Sequence, residues 1–108
     1  MALALAVAFT NLLLAILVVI LVIPMRQGKV PRNGIYGARF AASLESDEKW
    51  YPTNRYAAGR MMLWSIPAAL SGLLALGGSP LMLIVAILAP AVMYSIACWE
   101  SWKFARSL

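Results

Sequence analysis

The sequence predicts an all-α membrane protein: three transmembrane helices, with a structured cytoplasmic loop between the first and the second. Three observations predict it. Of the 108 residues, 63% are apolar and only 12% charged, whereas a soluble domain is about half apolar and about a quarter charged. The charges are also clustered, with none in Met1 to Met25, ten between Arg26 and Arg60, none from Met61 to Trp99, and three in the tail from Glu100 to Leu108. Finally, the uncharged stretches have the lengths that bilayer crossings need. A chain of this size has room for one domain, residues 1–108, and three spans leave little beyond the loop.

The first element is the apolar run Met1 to Met25. As a helix rising 1.5 Å per residue it would be about 37 Å long, enough to cross roughly 30 Å of hydrocarbon with some tilt. It lacks a basic leader and a small-residue cleavage site, so it is expected to stay in the mature protein rather than act as a cleaved signal peptide.

The second and third elements come from the 39 uncharged residues Met61 to Trp99, too many for one crossing. Gly77-Gly78-Ser79-Pro80 supplies the reversal, giving a helical hairpin. The spans are therefore set at about 1–25, 58–76 and 81–99, with the loop at 26–57 and a tail at 100–108. The arm from Met61 to Leu76 would be only about 24 Å long, so Arg60 is expected to snorkel while Tyr56 to Gly59 extend the helix into the interface. Residues 60 and 100 are nearly equidistant from the turn, which makes Arg60 and Glu100 candidate partners.

Orientation follows from Lys and Arg in the short exposed segments, which are retained in the cytoplasm. Seven basic residues lie between Arg26 and Arg60 and two in the tail, against none at the N-terminus or in the Gly77 to Pro80 turn. The expectation is a multi-pass protein of the bacterial inner membrane with its N-terminus outside and its C-terminus cytoplasmic. Trp64, Trp99 and Trp102 then fall near the inner interface, where indoles are favoured.

Packing signals lie inside the spans. Ala4, Ala8, Asn11 and Ala15 share a face of the first helix, as do Ser65, Ala68, Gly72 and Ala75 of the second, and small residues let helices approach closely in lipid. These faces are expected to meet each other or a partner. Asn11 is the one strongly polar side chain within a span; an interhelical hydrogen bond is favoured over a ligand role, and Asn11, Ala68 and Gly72 are candidate packing residues.

The loop, Lys29 to Arg60, is the informative stretch. Pro31, Asn33-Gly34 and Tyr36-Gly37 read as turns. Ser46 is placed to cap a helix whose first turn holds Asp47 and Glu48, and Pro52 is expected to break or restart that helix before the second span. Arg39 and Arg55 can fork onto a carboxylate, phosphate or lipid headgroup. Asn33 and Asn54 can fix backbone groups, while Trp50, Tyr36, Tyr51 and Tyr56 can sit at the interface. The alternative is that Arg39 pairs with Asp47 or another loop acid and the motif merely folds the loop.

Three ordered sub-motifs run through it: Pro31, Asn33, Tyr36, Gly37 and Arg39; then Ser46, Asp47 and Trp50; then Asn54, Arg55 and Gly59. In these the chain resembles the SdpI family of small bacterial integral membrane proteins, whose best-known member confers immunity to a secreted peptide toxin. The pattern departs at Phe40, where the family usually has Thr, and at Pro52. The additional helices of the longer immunity protein are also missing. The resemblance implies a non-enzymatic membrane interaction protein that binds a membrane-active peptide, or a membrane or cytoplasmic partner, through its loop and spans. It makes Pro31, Asn33, Tyr36, Gly37, Arg39, Asp47, Trp50, Asn54, Arg55 and Gly59 the candidate contact residues. A reading of a different class is a small accessory subunit that packs against a larger membrane complex.

Other chemistries find little support. There is no His and one Cys, so an intrachain disulfide and the usual His/Cys metal sites are excluded, and no metal or cofactor is expected. Three of the four carboxylates are bunched at Glu45, Asp47 and Glu48, a poor basis for an acid–base pair with separated pKa values. The apolar runs Met1 to Met25 and Met61 to Trp99 carry no Asp, Glu, Lys or Arg to line a transport path. The net charge of +5 sits at the ends of apolar runs, which directs it to lipid headgroups rather than nucleic acid.

Overall fold

Helix α1 runs Ala2–Arg26, α2 Asp47–Ser71 and α3 Pro80–Ser107, in a computed structural model that describes all residues 1–108. There is no strand. All three helices are long and apolar enough to cross a membrane, and the chain is a multi-pass membrane protein. A short 3-10 turn at Ser43–Glu45 precedes α2, and a 3-10 stretch at Gly72–Gly77 follows it.

What is buried identifies the solvent. The interior holds Ala15, Ala57, Ala58, Ala68, Ala75, Ala86, Ala97 and Ala105 with Ser65, Ser71 and Ser101, while Leu, Ile and Phe side chains of α1 and α3 point outward. A protein in water does the reverse. In lipid, burying Leu gains nothing over leaving it against acyl chains, so small residues mark the contacts instead.

α1 and α2 meet along the two small-residue faces. A Cβ added at Gly72 would lie 2.9 Å from Ala8 Cα and 3.2 Å from Asn11 Cβ, so only glycine admits this approach. Asn11 is buried and spends both amide hydrogens, one on Ser71 Oγ at 3.2 Å and one on the Ala86 carbonyl at 2.9 Å. Ala86 is four residues before Pro90, which has no N–H to return, so the Pro removes the carbonyl's helical partner. Asn11 supplies the replacement and ties all three helices at one level.

Three boundaries differ from the sequence expectation. Pro52 does not break α2, which is continuous from Asp47 to Ser71. The ring forfeits one hydrogen bond, but Trp50, Thr53 and Asn54 around it are fully buried under the loop, and that packing holds the helix through it. Ser46 stands at the N-cap with Asp47 and Glu48 in the first turn, yet its hydroxyl makes no capping bond; its carbonyl instead accepts from Lys49 and Trp50 N–H at 3.2 and 2.9 Å. The tail is not separate, because α3 continues to Ser107.

The short second arm is lengthened by its last six residues. A 3-10 turn rises about 2.0 Å per residue against about 1.5 Å for an α-helix, so Gly72–Gly77 gains about 3 Å over the same residues in α form. The turn then closes with Gly78 at φ +80° and Pro80 as first residue of α3.

Asn11→Ala should lower the unfolding free energy by about 0.6–2 kcal/mol, the range for interhelical hydrogen bonds in membranes. Gly72→Val should cost more, because its side chain would meet backbone rather than a movable group. Reversible unfolding in mixed micelles measures both, and a Gly72→Val variant as stable as the wild type would refute the contact.

Candidate functional site

The loop is a folded cap on one end of the bundle. α1 stops in a Schellman arrangement: Gly28 takes φ +71°, its N–H bonds to Met25 O at 3.2 Å, and Lys29 N–H bonds to Pro24 O at 2.9 Å. Asn33 then winds the chain around its own amide. Its Oδ1 accepts from Ile35 and Tyr36 N–H at 2.8 and 2.7 Å, and its Nδ2 donates to the carbonyls of Pro31 and Tyr36 at 2.7 and 3.0 Å.

Two residues of α2, one turn apart, grip the loop from below. Trp50 is fully buried and donates from Nε1 to Val30 O at 2.8 Å. Asn54, also buried, accepts from Ala38 N–H at 2.8 Å and donates to Trp50 O at 2.8 Å. Gly37, at φ +118°, lies directly over them, and a Cβ there would come within 2.6 Å of Asn54 Oδ1 and 2.9 Å of the Trp50 ring. Ser43 closes the far side, its hydroxyl donating to Ala38 O at 2.6 Å and accepting from Phe40 N–H at 2.8 Å.

The candidate residues therefore separate. Asn33, Gly37, Trp50 and Asn54 come together to build the loop, and the expectation that Trp50 sits at the interface is corrected, since its indole is enclosed. Pro31 is exposed and contributes its carbonyl to Asn33. Tyr36 is half-buried against the core. Gly59 faces Arg26, whose Nη1 would lie 3.1 Å from an added Cβ and donates to Arg55 O at 3.1 Å. Asp47 pairs with Arg32 at 3.6 Å, not with Arg39. Arg39 instead donates to Gly34 O at 2.6 Å and reaches no carboxylate.

Three carboxylates are engaged: Asp47 with Arg32, Glu45 with Lys49, and Glu100 with Arg60. The last is bidentate, at 2.6 and 3.2 Å, and Trp64 Nε1 adds a third bond to the same carboxylate at 2.8 Å, joining α2 to α3. Lys103 and Arg106 lie over the rings of Trp99 and Trp102 at 4.5 and 4.7 Å. Arg26, Lys29, Arg39 and Arg55 have no ion-pair partner. The Arg55 guanidinium lies against Gly28, 2.7 Å from where a Cβ would be.

Beneath the loop is a cleft of about 260 Å³, with Val22 of α1, Met61 of α2, Cys98 of α3 and Tyr36 and Phe40 of the loop among its walls. Arg39 is the charged residue in that lining. Sequence reasoning found neither the cleft nor Ser43, Val30 and Arg26 as loop supports. Gly28 just past the first span was the available signal for the Arg55 seat, because a helix-ending glycine leaves its flank open.

Residues 29–98 match the model of the SdpI/YfhL protein family, and this stretch runs from the loop through most of α3. Comparisons with curated proteins and with solved structures gave no match.

Trp50→Ala should destabilise the cap by about 3–5 kcal/mol, the cost of emptying a core aromatic site. Limited proteolysis should then cut between residues 30 and 45 while the helices stay protected. Thr53→Val tests the accounting from the other side. Thr53 Oγ1 is a buried side-chain oxygen with no partner, so replacing it by a methyl should be neutral or stabilising by up to about 1 kcal/mol in the same unfolding assay.

Proposed function

We propose, on the premise that this chain belongs to the SdpI/YfhL protein family, that it is a non-enzymatic, immunity-type protein of the bacterial inner membrane whose loop and spans bind a membrane-active peptide. The observation that carries the reading is the division of labour within the loop. Trp50, Asn54, Asn33 and Gly37 are consumed in holding the backbone. Arg39 and Arg55 are exposed on that fixed backbone and have no carboxylate partner. Unpaired guanidinium groups on a rigid support are suited to an anionic group of a ligand, because little ordering cost remains when it binds.

The accessory-subunit alternative draws less support. The faces it would use, around Ala8, Asn11, Ala68 and Gly72, are occupied by contacts within the chain. The proposed orientation, with the N-terminus outside and loop and tail in the cytoplasm, rests on the basic residues of the loop end.

Arg39→Ala and Arg55→Ala should reduce protection of toxin-challenged cells while membrane abundance stays at the wild-type level. Lys29→Ala, outside the shared motif, is the control. If both arginine variants protect fully, the loop is not the recognition surface. Orientation is tested in a Cys98→Ser background, where Ser79→Cys should be labelled by an impermeant maleimide on intact cells and Ser46→Cys only after lysis. Labelling of Ser46→Cys from outside would reverse the topology.

A further inference from the structure

We propose that the cleft beneath the loop holds the upper part of one acyl chain of an anionic phospholipid, with its headgroup on Arg39. This does not rest on the immunity reading. α1 and α3 are each packed on α2 and scarcely touch one another, so a slot remains between them at the loop end. The loop residues Tyr36 to Phe40 roof it, and Ala57 and Met61 of α2 form its floor. At its edges Leu21 is 46% exposed and Cys98 is exposed, so the slot opens sideways, toward the surroundings of the spans.

Size, polarity and charge select the occupant. At about 260 Å³ the slot lies below the roughly 300–1,000 Å³ of pockets that take drug-sized ligands, so it takes the headgroup-proximal part of one chain while the rest lies in the surrounding lipid. Its walls are mostly apolar; the Ser101 hydroxyl is spent on Ala97 O, and the one charged group is a guanidinium with one hydrogen bond to Gly34 O. The planar fork of an arginine has five N–H donors, so most of them remain for phosphate oxygens. Arg26 and Arg55 add unpaired positive charge at the same end of the bundle. An apolar slot facing lipid with a cation at its mouth matches a phospholipid chain and its phosphate better than a water-borne ligand.

Cys98, the chain's one cysteine, is a built-in reporter. The purified full chain is placed in nanodiscs of phosphatidylcholine alone or with phosphatidylglycerol, and the rate of Cys98 alkylation by a maleimide is followed. Phosphatidylglycerol should slow the reaction about fivefold, the factor expected for one basic residue acting on an anionic headgroup. Arg39→Gln should abolish that difference, while Lys29→Gln keeps it. Native mass spectrometry should find one phosphatidylglycerol on the wild type, retained by Lys29→Gln and lost from Arg39→Gln and from Cys98→Phe, which fills the slot. Equal alkylation rates in both discs would overturn the proposal, as would lipid retained by Arg39→Gln at the wild-type level. Protection of Cys98 that appears only on adding an apolar peptide would assign the slot to a peptide and overturn it equally.

Discussion

The contact between α1 and α2 is the constraint on which the rest of the bundle depends. In lipid the outward Leu and Ile side chains gain nothing by turning inward, so cohesion must come from close backbone approach and from polar groups that hydrocarbon will not solvate. Gly72 over Ala8 supplies the first and Asn11 the second. The two are adjacent, since Asn11 bonds to Ser71, the residue before Gly72. Pro90 strengthens the dependence, because the Ala86 carbonyl that it strands has no water to turn to and finds the Asn11 amide instead. α3 thereby joins the α1–α2 contact at that level.

The second constraint is length. The arm between Arg60 and the Gly77–Pro80 turn is short for a bilayer, and the chain responds at both ends. The 3-10 stretch stretches the arm at the turn. At the other end Arg60 is held by Glu100, whose carboxylate also accepts from Trp64, rather than left to find water alone. A bidentate pair beside an indole suits the depth where hydrocarbon gives way to headgroups, and Tyr56 stacked on Phe104 at 4.2 Å continues the α2–α3 contact beyond it. The loop can then fold on a hairpin already fixed in register, which is why Trp50 and Asn54 can reach both Val30 and Ala38 from one helix face.

Much of this was legible because charge and apolar runs have almost one meaning in a membrane chain. The three spans, the turn, the meeting of residues 60 and 100 and the small-residue faces all follow from position along the chain and bilayer thickness. Pro52 was misread because local propensity says break, whereas burial of Trp50, Thr53 and Asn54 outweighs one lost hydrogen bond. Trp50 was misread for the opposite reason. An aromatic residue between charged residues near a span is commonly interfacial, and nothing in the spacing reveals that Gly37, thirteen residues earlier, is shaped to lie on its ring. Of the two readings of Arg39 left open, the ion pair with a loop acid is not formed, because Asp47 is taken by Arg32, a contact set by the path of the loop rather than by sequence distance.

A motif whose members mostly build a scaffold does not thereby lose its connection to function. Four of the loop's basic residues reach no carboxylate, although Glu48 lies in the first turn of α2 and makes no ion pair either. Arg39 is instead held by Gly34 O at the cleft, and the Arg55 guanidinium lies against Gly28, whose φ of +71° favours glycine. Both guanidinium groups are exposed and unpaired, and so are free to meet an anion from outside the chain, which is the common ground of the proposed peptide recognition and the proposed lipid site.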